Sequence, residues 1–363
     1  MSKDNKKRIS VNKNEAESFI KYSVGNDISK EKFDCCISLI DNQQRVSIIA
    51  TRSFSNNLTG FKLFEEWVSQ KCKHDIPIVF LMEATGVYYE KLAWFLNKAK
   101  KMVSVILPSK AKKYLQSLGY KSKNDKIDAK GLAQMGAEQR LDVWCPPTSQ
   151  ILQLRSITRH RQALQETRTR LNNQKEGHTH AEHANDEVVN QLDQLIETIE
   201  NQIKQTEKMI KEAIKKDDNM NRKINNITQI KGVGLVTAAT VIAETGGFHM
   251  IKNQRQLVSY AGYDVVENQS GNRTGKTKIS KKGNSRIRRI LHLPSFSVVR
   301  NGELQFVNLN QRVYERTKIK MKGYVAVQRK LLILIYTLWR KDEIYNVEHP
   351  VMQSRSLSFR MAS

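Results

Sequence analysis

The spacing of apolar residues changes twice along this chain. From Tyr22 the runs YSVGNDIS, KFDCCISLID and RVSIIATRSF are short and rich in β-branched and aromatic residues, with the turn signal DNQQ between the last two. They predict an antiparallel meander. A helix is expected from about Leu58 to Lys73, with Phe61, Leu63, Phe64, Trp67 and Val68 as its apolar residues. IPIVFLMEATG is a continuous apolar run, as in a strand buried on both faces. A second helix, about Tyr88 to Lys98, leads to a fifth strand, MVSVIL, stopped by Pro108.

Strands that are first consecutive and then alternate with helices indicate a mixed sheet covered by helices. Five in this order suit a ribonuclease H-like fold. Pro146 and Pro147 mark a boundary, and from about Ser149 to Asp217 there is no proline and one glycine, Gly177. Here apolar residues recur at Ile151, Leu154, Ile157, Leu164 and Leu171, then at Val188, Leu192, Leu195, Ile199, Ile203, Ile210 and Ile214. This spacing predicts two long helices forming a coiled-coil hairpin or dimer arm. The break falls in KEGHTHAEHAND, whose histidines suit a polar turn better than a metal site, because no second ligand-rich segment accompanies them. ITQIKGVGLVTAATVIAE predicts a helix, a turn and a helix. It resembles a helix-hairpin-helix element, with Lys231, Gly232 and Gly234 placed to meet a phosphate. A compact helical unit follows, closed by a helix pair from Gln305 to Lys341 that buries Leu331, Leu332, Leu334 and Ile335. The expected division is a disordered basic N-terminus (1–17), a sheet domain (18–145), a helical arm (146–222), a mainly helical C-terminal domain (223–345) and a tail (346–363).

Charge narrows the partners. The chain has 61 basic and 36 acidic residues, a net charge of +25. Such an excess points to nucleic acid. No apolar run approaches the ~20 residues of a membrane-spanning helix, and KDNKKR precedes no signal-peptide core. The four cysteines have no CxxC spacing, which fits a reducing cytosol and disfavours zinc. The charge concentrates after Asn268: no Asp or Glu occurs from there to Gly302, while Arg273, Lys276, Lys278, Lys281, Lys282, Arg286, Arg288 and Arg289 do. A segment of this kind repels itself unless a polyanion lies against it. Within it Ser270, before Gly271, is the leading nucleophile candidate, with Ser280 and Ser285 behind it. A free serine needs activation before it can attack.

The acids supply the other half of the chemistry. Asp27 ends the first strand and Glu83 the fourth, at the strand ends where open α/β sheets place their sites. KNDKIDAKGLAQMG adds Asp125 and Asp128, three apart and so on one helical face. Each acid alone also suits a turn, a strand exit or a helix start. Four converging would repel unless cations sat between them, and hard oxygen donors suit Mg²⁺ or Mn²⁺. Lys123 and Lys126 favour phosphate nearby.

VGNDISK, MEATGVYYEKL, KNDKIDAKGLA and the block GVG…AGY…QSG…ISKKGNSRIRR occur in order. Together they resemble the DEDD-type transposases of the insertion sequence 110 family, of which Piv-type DNA invertases are relatives. The resemblance runs from about Tyr22 to Arg340. It implies that Asp27, Glu83, Asp125 and Asp128 form a Mg²⁺ or Mn²⁺ site in a RuvC-like domain and that Ser270 is the nucleophile of a C-terminal transposase domain. It further implies donor and target DNA as substrates, an element-encoded guide RNA, a homodimer or homotetramer, and a cytoplasmic, nucleoid-associated protein. Asn26 and Asn124 depart from the family's usual residues without removing a ligand. The alternatives are a metal-dependent junction nuclease with an inert serine, a Piv-type invertase, and a scaffold whose acids bind no metal.

Overall fold

The structure is a computed structural model. It describes residues 18–346 except 85, 120–123, 184, 268, 271–272 and 276, with backbone alone at 269–270 and 273–274. The chain forms two compact units that divide between Pro146 and Pro147.

The first unit is a mixed sheet with helices on its faces. In chain order it contains β1 (Phe19–Ile28), β2 (Lys32–Asp41), β3 (Val46–Ser55), α1 (Leu58–Lys71), β4 (Ile78–Glu83), α2 (Glu90–Lys98), β5 (Met102–Ile106), α3 (Pro108–Ser117) and α4 (Asp125–Glu138). The strand order is β3-β2-β1-β4-β5. β1, β2 and β3 pair antiparallel, as a meander should, while β4 and β5 join parallel. Pro108 does more than end β5. It occupies the first turn of α3, where its missing N–H costs nothing.

Phe33, Phe54, Phe64, Trp67 and Phe80 fill one face of the sheet with edge-to-face and stacked ring contacts. On the other face α4 lies directly on β1 and β2. Gly25 makes that approach feasible: a Cβ there would lie 2.1 Å from the Ala133 amide nitrogen. The Ser38 hydroxyl, from β2, donates to the Ala133 carbonyl at 2.9 Å.

The second unit begins with α5 (Ser149–Thr179) and α6 (Asp186–Lys215), which pair as an antiparallel hairpin. Three ion pairs join them: Arg161–Glu207, Arg168–Glu200 and Lys175–Asp193. Their members recur every seven residues on both helices. The buried seam of α6 runs through Leu192, Ile196, Ile203, Thr206 and Ile210, with spacings of three, four and seven. Leu195, expected in that seam, is 52% exposed; its neighbour Ile196 takes the buried position. The base of the hairpin shares a core with the remaining helices: Ile151, Leu154, Ile157, Ile210 and Ile214 pack in one cluster with Ile227, Val241, Phe248 and Leu331.

Those helices are α7 (Asp218–Thr228), α8 (Leu235–Glu244), α9 (Gln254–Ala261), α10 (Ser285–Ile290), α11 (His292–Arg300), α12 (Leu304–Thr317) and α13 (Lys320–Lys341). Between α9 and α10 lie four two-residue strands, β6 (Val265–Val266), β7 (Gln269–Ser270), β8 (Arg273–Thr274) and β9 (Lys278–Ile279). β6 pairs with β9 and β7 with β8, both antiparallel. Along α13, Leu331, Leu332 and Ile335 are buried as expected, whereas Leu334 is only partly so.

Candidate functional site

The four expected acids gather at one edge of the first sheet. β1 and β4 are parallel neighbours with Asn26 opposite Met82, so the next residues, Asp27 and Glu83, come side by side at the carboxyl ends of the two strands. Asn124 caps α4, its side chain accepting from the Ile127 N–H at 2.9 Å. Asp125 and Asp128 therefore stand in the first turn of the helix that Gly25 lets onto β1.

The electrostatics follow from this grouping. Burial pushes the Asp27 carboxyl up to about 6, and the charges of Asp128, Asp125, Glu83 and Asp34 push in the same direction. Like charges facing one group disfavour its ionised form. The other three expected acids are thus within electrostatic reach of Asp27.

Asp34 is the fifth member and was not anticipated. It sits opposite Asp27 in the β1–β2 register and is 2% exposed. The Ser53 hydroxyl donates to one of its carboxylate oxygens, and the Lys32 ammonium donates to the other at 3.1 Å. The same ammonium lies 3.6 Å from Asp125 Oδ2. The signal was available in the spacing: strands meeting across a tight turn place Asp27 and Asp34 on one face.

Among the described residues, no three acid, histidine or cysteine side chains stand close enough to hold an ion as they are. The donor set is nonetheless carboxylate only, which suits a hard divalent cation. Lys126 and Lys130 are exposed on α4 beside it, and Lys123 lies outside the described residues.

The serine and the basic stretch belong to the second unit. Ser270 ends β7 directly opposite Arg273 in β8. Lys276 lies outside the described residues, while Lys278, Lys281, Lys282 and Arg286 are exposed. Two of the arginines have partners within the chain. Arg288 donates to the carbonyls of Ala261 at 2.8 Å and Gly283 at 3.3 Å, and Arg289 pairs with Glu166 of α5.

Glu244, at the end of α8, underlies this stretch and was also missed. Its side chain is fully buried, held by Arg159 at 2.7 and 3.0 Å and by the Asn284 amide at 2.8 Å. Burial, the largest single influence, would raise this carboxyl, but those hydrogen bonds and the charges of Arg159 and Arg286 together hold it below its ordinary value. Asn284 in turn caps α10. The KGVG turn lies between α7 and α8: Lys231 is exposed, Gly232 has φ +104° and packs on Ser297, and Gly234 caps α8 without a side-chain hydrogen bond.

A DEDD-type IS110 transposase model matches residues 24–181, and the transposase IS116/IS110/IS902 family model matches residues 224–307. The two follow one another in chain order, and the chain belongs to the IS110 family of transposases. Pilin gene-inverting proteins of Moraxella bovis and Moraxella lacunata are each 27% identical over 89% of this chain and 97% of their own. The transposase for insertion sequence element IS1111A of Coxiella burnetii is 27% identical over 34% of this chain and 35% of its own. Among solved structures, Thermus thermophilus RuvC matches at 12% identity and a TM-score of 0.26, covering 32% of this chain and 93% of its own. So slight a structural likeness bears no weight.

Proposed function

We propose that this protein cuts and rejoins DNA strands, using Asp27, Glu83, Asp125 and Asp128 as a divalent-metal site and Ser270 as nucleophile. The observation that carries this reading is the convergence of four carboxylates on Asp27. A structural role alone gives no reason to crowd like charges in this way. When bound, Mg²⁺ or Mn²⁺ would supply positive charge for the attacking and leaving oxygens of a phosphodiester. The chain's own part is to orient the carboxylates through α4 and the ends of β1 and β4.

The Ser270 hydroxyl attacks phosphorus, forming a serine phosphodiester. The strand-end oxygen leaves, taking up the proton that the hydroxyl gives up. Attack by the hydroxyl of a second strand reverses these steps and rejoins the DNA. Lys278, Lys281, Lys282 and Arg286 face the backbone phosphates, and Lys231, Gly232 and Gly234 act as a helix-hairpin-helix element at the open start of α8. The strand order 3-2-1-4-5 supports a ribonuclease H-like, RuvC-like reading of the first unit, and the seven-residue repeat of ion pairs supports a coiled-coil reading of the arm. A guide RNA, a homodimer or homotetramer and a place in the cytoplasm, on the nucleoid, complete the reading.

The test is trapping. Incubated with substrate DNA and Mg²⁺, the protein forms an adduct that survives denaturing electrophoresis, and Ser270→Ala abolishes it while DNA binding persists. Full strand cleavage by Ser270→Ala would instead make this a metal-dependent junction nuclease with an inert serine.

A further inference from the structure

Residues 304–341 form α12 and α13, and all but the first four lie beyond the last residue matched by either family model. They contain nine basic residues and a single acid, Glu315. The two helices are joined by Lys318 and Ile319 alone, with Lys318 in the left-handed region at φ 55°. They pack closely at Gly323, where a Cβ would meet the Asn310 side chain at 2.0 Å. This tight hairpin presents Arg312, Arg316, Lys318 and Lys320 on its exposed surface, with Lys322 and Lys330 half-buried.

None of these six cations has a carboxylate partner among the described residues. The contrast with the arm of the same unit is informative, for there Arg161, Arg168 and Lys175 each meet an acid across the hairpin. Lys330 is held below its ordinary value by burial and by the neighbouring Arg312 guanidinium. A half-buried ammonium facing a like charge is unfavourable in the free protein and is relieved when an anion arrives. Ile319 and Met321, 49% and 48% exposed, sit between the turn's lysines. Cations spread along two helices and a turn match a repeating row of phosphates better than a single small anion.

We propose that the α12–α13 hairpin is a second DNA-binding surface, gripping the phosphate backbone of duplex DNA outside the segment that reacts. It is separate from the basic stretch before α11 and does not depend on the role of Ser270. Its contacts are to phosphates, so it adds affinity and register without reading sequence.

The experiment measures full-length protein binding to a 30-bp duplex across a salt series. Replacing Lys318, Lys320 and Lys322 together by Ala should flatten the slope of log K against log salt by ~2.7. The double variant Arg312→Gln/Arg316→Gln should flatten it by ~1.8. At saturating DNA both variants keep the wild-type yield of the Ser270 adduct, so loss of this surface is distinguishable from loss of the chemistry. Because the replaced residues are exposed or half-buried, both variants should melt like wild type; if one unfolds, the other carries the test. An unchanged slope on duplex DNA overturns the proposal. So does a slope that changes only on single-stranded RNA or an RNA hairpin of the same length, since the surface would then serve RNA.

Discussion

Asp27 is where charge is most concentrated, and its environment makes a stability prediction. In the folded protein it keeps its proton up to about pH 6, against an ordinary value of 3.8. Between those limits the folded state binds more protons than the unfolded state, so stability falls as pH rises through the window. Asn holds no charge and removes that slope. In metal-free buffer above pH 6, Asp27→Asn should therefore melt higher than wild type by roughly 2–4 °C, converging with it below pH 4, while strand cleavage is lost. Calorimetry from pH 4 to 8 checks this. A lower melting temperature at every pH would show that the carboxylate supports the fold. Asp27, Glu83, Asp125 and Asp128 could be found in the sequence because strand ends and helical spacing of three are local patterns. Asp34 and Glu244 could not be singled out so easily. One depends on the register of an antiparallel pair, and the other becomes meaningful only beside Arg159, 85 residues away.

At the scale of elements, the position of α4 on β1 decides whether the acids meet. Gly25→Ala places a methyl group against the backbone of Ala133, which cannot swing aside as a side-chain tip could. Overpacking of this kind costs about 1–3 kcal/mol, and it shifts α4 and both of its aspartates. Loss of cleavage with a lowered denaturation midpoint is expected. Gly177→Ala in α5 is the control. A Cβ there meets nothing within 4 Å, so the change should stabilise by about 0.5–1 kcal/mol and leave cleavage intact. Equal effects from the two would remove the special role given to Gly25. The strands themselves were legible because their apolar runs are short and bounded by turn residues. The start of α3 was not, because a proline reads equally as a stop and as a first helical residue. Leu195 was misplaced for a different reason. Apolar neighbours at 195 and 196 fit the same coarse periodicity, and only the pairing with α5 selects Ile196 for the seam.

For the whole molecule, the acids and Ser270 belong to two separate compact units. If the active site is completed between protomers, inactive Asp27→Ala and inactive Ser270→Ala proteins should restore partial recombination when mixed, since some assemblies contain one intact pair. Product yield against mixing ratio would peak near equal amounts. Continued inactivity of a mixture that demonstrably co-assembles would mean that each protomer must supply both halves. Family motifs made the two halves legible from sequence. Their joining was not, because it depends on contacts that local spacing does not encode.

The ladder of ion pairs on the arm makes this protein adjustable in length. Arg161, Arg168 and Lys175 are seven apart, and so are Glu207, Glu200 and Asp193. The arm is therefore periodic, and one whole repeat can be excised from both helices while every remaining rung keeps its match. Removing 168–174 together with 194–200 should give a folded protein whose arm is about 10 Å shorter. Removing either segment alone leaves the rungs out of step and should unfold the hairpin. Small-angle scattering of the paired deletion, beside melting curves for the single ones, would test the arm as a spacer. Graded shortening would then turn the reach between the protein's working parts into an experimental variable.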